Sequence, residues 1–140
     1  MSLDLIIRFI VEQWVLATAL ISVLLILVLY ESRKAGPALS VIEAIRLVNA
    51  EGGIFLDVRE STDYAQGHIT DAVHIPISQL EKRVGDLDEY REKPIIVVCR
   101  MGQSAGSATK ILKSEGFEGA NKLSGGMIEW SAQKLPVVTQ

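Results

Sequence analysis

The stretch Lys93-Pro94-Ile95-Ile96-Val97-Val98-Cys99-Arg100-Met101-Gly102-Gln103-Ser104-Ala105-Gly106-Ser107-Ala108 decides how the rest of the chain is read. Ile95 to Val98 is an unbroken β-branched run, too short for a helix, and Pro94 stands where a first strand residue tolerates a missing N–H. The strand delivers Cys99, the single cysteine of the chain, onto a short glycine-containing loop. Ser104 reads as the N-cap of a helix running from Ala105 to Lys113, with Gly116 as its terminator. Loop N–H groups from Met101 to Ser104, with those of the first helical turn, converge on the centre of the loop and favour an anion there. Arg100 places a positive charge beside Cys99 that acts in the same direction. A free cysteine is commonly an inert buried residue. Arg100, Gly102, Gln103 and Ser104 are not core residues, however, so Cys99 cannot be packed away on both sides and reads as a mounted nucleophile.

Outward from this stretch, strands alternate with helical segments. Ser40-Val41-Ile42-Glu43 is a capping box ahead of a helix carrying Ile42, Ile45, Leu47 and Val48, closed by Gly52-Gly53. Ile54 to Val58 reads as a buried strand, Ser61 to Gln66 as a short helical turn, and Val73 to Ile75 as a third strand stopped by Pro76. Ser78-Gln79-Leu80-Glu81 looks like a second capping box, starting a helix that ends at Gly85. Asn121 to Leu123 is a last strand, and Gly125-Gly126 turns the chain into a brief helix near Met127 to Ala132. The alternation predicts an α/β fold: a central parallel sheet flanked by helices, with the Cys99 loop at the carboxyl end of a central strand, where open sheets bind ligands.

Three ordered motifs carry a family resemblance. Cys99 to Ser104 with the small residues that follow resembles the six-residue active-site loop of rhodanese (sulfurtransferase) domains. Asp57-Val58-Arg59-Glu60, Tyr64, Gly67-His68-Ile69, Ala72 and Ile75-Pro76 resemble the upstream signature of that family, and Leu123-Ser124-Gly125-Gly126 with Trp130 the downstream one. The match covers about Leu39 to Pro136. The resemblance implies that Cys99 is the nucleophile, carrying sulfur as a persulfide from a thiosulfate or persulfide donor to a thiol or cyanide acceptor. Arg100, Met101, Gly102, Gln103 and Ser104 would bind the substrate, with Gly102 permitting the tight loop. No cofactor is expected beyond that covalent intermediate. Asp57 and Arg59 are expected to form a structural ion pair at a strand end, and His68 a turn-stabilising hydrogen bond in preference to acting as a base. Met101 departs from thiosulfate-using members, which often carry a basic residue there, so thiosulfate should be held weakly and a protein or small-molecule persulfide less affected.

The formal net charge of −3, with 11 basic and 14 acidic residues from Pro37 onward, leaves no basic footprint for nucleic acid. One cysteine excludes an internal disulfide, and with two histidines no cluster of zinc-site spacing is available. Gln13 to Tyr30 holds no charged residue, and its 18 positions rise roughly 27 Å as a helix. It is therefore expected to cross a membrane once, bracketed by Trp14 and Tyr30 as interfacial aromatics. A signal peptide would have a shorter apolar run, and Glu31, Arg33 and Lys34 separate this one from small-residue cleavage candidates at Ala35 to Ala38. Arg33 and Lys34 after the span, against Arg8 before it, favour a cytoplasmic domain held at a bacterial-type inner membrane, as does a lone thiol that must stay reduced. The expected organisation is an anchor over 1–34 (span about 13–30), a linker over 35–38 with Gly36-Pro37 as breaker, and the domain over 39–140. Partners would be a sulfur donor and acceptor, the membrane, and a membrane protein nearby.

Two other function classes fit the loop less well. A tyrosine phosphatase or arsenate reductase of the related fold would close its loop with an arginine six positions after the cysteine, and Ala105 stands there. A non-catalytic interaction module at the membrane would usually have lost the cysteine that this loop keeps.

Overall fold

The computed structural model describes residues 2–34 and 36–139. The chain divides between Arg33 and Lys34 into two compact units. Ala35 of the expected linker, and the outermost residues of the expected anchor and domain, Met1 and Gln140, lie outside the described residues.

The N-terminal unit is helical. The anchor expected as one helix over 1–34 is two: α1 (Leu3–Glu12) ends at Gln13, whose φ of −113° and ψ of 34° leave the helical well. α2 (Trp14–Lys34) follows at once and is long and apolar enough to cross a membrane. It runs four residues beyond the expected Tyr30 boundary, because Glu31 to Lys34 break no helical rule. Its hydroxyls are served within the helix: Thr18 Oγ1 donates to Val15 O (2.9 Å) and Ser22 Oγ to Thr18 O (2.7 Å).

The second unit is an α/β domain built on a five-stranded, all-parallel sheet in the order β1 (Ala38–Leu39), β5 (Ala120–Leu123), β4 (Ile95–Val98), β2 (Ile54–Asp57), β3 (Val73–His74). The cysteine-bearing strand is central, as expected. Alternation along it separates two cores. Ile95, Val97 and Cys99 face α5 (Ile77–Arg83), a 3₁₀ helix (Val84–Tyr90) and α6 (Gln103–Ser114), while Ile96 and Val98 face α3 (Val41–Glu51) and α7 (Gly126–Ala132). Burial on both faces explains why β4 is an unbroken apolar run.

Several local expectations are met in detail. Ser40 Oγ accepts from Glu43 N–H while the Glu43 carboxylate accepts from Ser40 N–H (2.9 Å), completing the capping box of α3, and Gly52 ends that helix in the left-handed region. α4 spans Ser61–Gln66 as read. Four details are corrected. Ala38 belongs to the sheet, in register with Lys122, so the expected linker already carries a strand residue. The Ser78–Glu81 box does not cap α5: Pro76 is the N-cap, and Ile77 N–H donates to Val58 O, which starts the helix two residues earlier. Gly85 does not stop the chain, which continues through it as the 3₁₀ helix because Leu87 is fully buried there. Ser104 is not the N-cap of α6. Gly102 is, at φ 99° and ψ −7°, and Ser104 falls inside the first turn.

Candidate active site

Cys99 leaves the carboxyl end of β4 with its side chain on the face of Ile95 and Val97, and it is only 3% exposed. The loop then reverses at Gly102, whose left-handed conformation aims its N–H at the sulfur: Gly102 N donates to Cys99 Sγ at 2.9 Å. This geometry is why a glycine, and not Ser104, occupies the cap. The loop carbonyls point elsewhere. Cys99 O accepts from Met127 N–H (2.8 Å) and Arg100 O from Ile128 N–H (3.1 Å), so the first turn of α7 clasps the loop from behind. Gly126 makes that approach possible, since a Cβ there would lie 2.2 Å from Cys99 O. The twin glycines before a helix were the sequence signal for this clasp, but nothing local says what they approach.

In front of the sulfur is a pocket of about 180 Å³ whose walls include Val58, Glu60, Ile77 and Ser104. Arg59, Asp63 and Arg100 line both this pocket and an adjoining groove of about 470 Å³ that reaches Met127, Ile128 and Val137. Glu60, Asp63 and Ile77 as pocket walls escaped the sequence reading, because chain separation hides them. Gln103 and Ser104 begin α6 beside the loop, and Met101 is exposed.

The two arginines differ. Arg59 is committed to Asp57: its Nε lies 3.0 Å from Oδ1 and its Nη2 2.8 Å from Oδ2, with the side chains 10% and 1% exposed. The same Nη2 donates to Gly67 O (2.8 Å), tying the end of β2 to the turn after α4. The Arg100 side chain is exposed and has no hydrogen-bond or ion-pair partner among the described residues, which makes it the free cation of the site.

Neither histidine serves the cysteine. Tyr64 is sandwiched between the rings of His68 (centroids 3.7 Å) and His74 (4.0 Å), both stacked nearly parallel to it. His68 Nδ1 bonds Tyr64 O and His74 Nε2 bonds Arg59 O, each at 2.8 Å, so both rings are tied to backbone. Burial first, then the Asp57 charge, pushes the Tyr64 phenol above its ordinary range, with Arg59 pulling the other way. Trp130 is buried against Phe55 and donates to Pro136 O (3.1 Å).

Comparison with known proteins agrees with this architecture. Residues 40–133 match the family described as "Rhodanese-like domain". The uncharacterized protein YibN of Escherichia coli strain K12 is 32% identical over 97 residues, covering 69% of this chain and 68% of its own. Thiosulfate sulfurtransferase GlpE of Actinobacillus pleuropneumoniae is 30% identical over 97 residues, 69% of this chain and 88% of that one. Among solved structures, the human single-domain sulfurtransferase TSTD1 superposes with a TM-score of 0.61 at 27% identity, covering 70% of this chain and 97% of that one.

Proposed function

The chain belongs to the rhodanese-like domain family, and from that premise we propose that it is a sulfurtransferase working through a persulfide on Cys99. The observation that carries the reading is the Gly102 N–H on the Sγ of Cys99, a residue that lines a pocket, because a directed backbone donor stabilises a thiolate and the persulfide anion that replaces it. In the first half-reaction the thiolate attacks the outer sulfur of the donor. The donor S–S bond breaks, and sulfite or a thiolate departs with the electron pair. In the second, a thiolate or cyanide attacks the outer sulfur of the Cys99 persulfide and releases the Cys99 thiolate. Arg100 is the group that meets donor negative charge, since Arg59 is already neutralised by Asp57. Met101 brings no second charge to the loop, which ranks a persulfide donor above thiosulfate.

α2 is proposed to hold the domain at a bacterial-type inner membrane as a single span, with Arg33 and Lys34 on the cytoplasmic side. Its charge-free stretch Trp14–Tyr30 rises about 26 Å, near the hydrocarbon thickness, and the hydroxyls of Thr18 and Ser22 are satisfied internally.

The test is intact mass of the full chain in detergent after exposure to thiosulfate or to a small-molecule persulfide, then cyanide. One sulfur gained, removed by cyanide as thiocyanate and absent in Cys99→Ser, is the expected result. No gain from either donor would overturn the sulfurtransferase reading.

A further inference from the structure

α1 ends one residue before α2 begins, yet the two helices place their polar residues differently. From Trp14 to Tyr30, α2 holds no charge at all. In α1 the charged residues Asp4, Arg8 and Glu12 recur every fourth position, advancing roughly 40° around the axis each time, so they form one narrow stripe. Every other position of α1 is Leu, Ile, Phe or Val, and none is buried.

Length decides where such a helix can go, given the reading of α2 as a span. The charge-free part of α2, Trp14–Tyr30, rises about 26 Å and so comes within about one helical turn of filling a hydrocarbon core of about 30 Å. Continuing α1 along the same axis would raise its apolar side chains into water. Sliding the span to include α1 would carry Asp4, Arg8 and Glu12 into hydrocarbon and expel the Leu24–Leu29 end of α2, which is unfavourable on both counts. Lying along the bilayer surface shelters the apolar arc and hydrates the stripe together. Gln13 departs from helical geometry where the two axes must part, and Trp14 beside it suits the headgroup level.

We propose that α1 is an in-plane membrane helix whose partner is the headgroup–acyl boundary of the lipid leaflet at the Trp14 end of α2. The two helices together form an L-shaped anchor: α2 fixes the span, and α1 fixes its depth and rotation. This rests on the spanning role of α2, so the experiment reads both helices.

In full-length protein carrying Cys99→Ser, cysteines introduced singly at positions 3 to 12 are nitroxide-labelled and reconstituted into phosphatidylethanolamine/phosphatidylglycerol vesicles. Ser22→Cys serves as the span control. Collision rates with oxygen and with a water-soluble nickel chelate on both sides give depth independently of insertion direction. The expected oxygen-to-nickel ratio oscillates with a period near 3.6, with minima at 4, 8 and 12 and nickel accessibility there severalfold above that at 6 and 10. Uniform nickel access across α1 with Ser22→Cys shielded overturns the in-plane helix while leaving the span intact. Low access to both reagents across α1 marks packing against a second copy and overturns it too. Nickel access at Ser22→Cys removes the span, and the proposal with it.

Discussion

Gly126→Ala tests whether the first turn of α7 sets the shape of the nucleophile loop. The added Cβ would sit 2.2 Å from Cys99 O and 2.8 Å from Arg100 O, both backbone atoms, so no flexible side chain can give way. Restoring contact distance requires moving the loop and α7 apart by about 1 Å, the order of misplacement that costs about 100-fold in a positioned reaction. Overpacking of this kind costs roughly 1–3 kcal/mol, and an alanine at φ +56° adds about 1 kcal/mol of left-handed strain. A total near 3 kcal/mol corresponds to a fall in Tm of about 15 °C for a domain of this size. Gly52→Ala is the control. Its φ of +69° imposes the same strain, but nothing lies within 4 Å, so it should lose only about 5 °C and keep its sulfur uptake. Thermal unfolding by near-ultraviolet circular dichroism and the rate of Cys99 persulfide formation by mass spectrometry read the two effects separately. A Gly126→Ala protein that unfolds no lower than Gly52→Ala and takes up sulfur at the wild-type rate would refute the clasp.

Arg100→Ala should slow sulfur uptake from dianionic thiosulfate about tenfold, the value of one charge-assisted hydrogen bond, and added salt should bring the wild type toward the variant. Equal rates at low salt would remove Arg100 from donor binding. Asp57→Ala strands the Arg59 guanidinium in a largely buried site and should cost about 3–5 kcal/mol in urea unfolding, whereas a loss under 1 kcal/mol would mean that Gly67 O alone holds the arginine. Hydrogen bonds from the Ser40 hydroxyl and then the Ser40 N–H hold the Glu43 carboxyl below its usual range. A depressed carboxylate stabilises the fold above its unfolded pKa of about 4.3 and loses that contribution as pH falls through the folded value. Glu43→Gln should therefore lose less stability than wild type between neutral and acid pH, and an identical acid decrement in both proteins would contradict the capping-box assignment.

The pattern of what could be read in advance follows the range of the forces involved. Ser40 with Glu43 is a contact across three residues, and Gly52 ends the same helix by a conformation of its own backbone, so both were legible from the letters alone. The β-branched run Ile95 to Val98 announced a strand buried on both faces because only hydrophobic burial on two sides removes the alternation of a half-exposed strand. Gly102 marks the boundary of this legibility. Ser104 is the better cap by intrinsic preference, but the cap is chosen by where an N–H must point, and that depends on the sulfur three residues back. Beyond it, contacts across the sheet could not be read. The Gly67 carbonyl that receives Arg59 lies eight residues from it, and the α7 N–H groups that hold the Cys99 and Arg100 carbonyls lie 28 residues away. Both partners are backbone atoms that every residue carries, so side-chain identity cannot announce them. What can announce them is a glycine where a Cβ would collide, and Gly126 is that mark. The loop chemistry was therefore legible from Cys99 outward, while the rigidity that keeps the Gly102 N–H on the sulfur is supplied by a distant helix turn whose only trace in the sequence is a missing side chain.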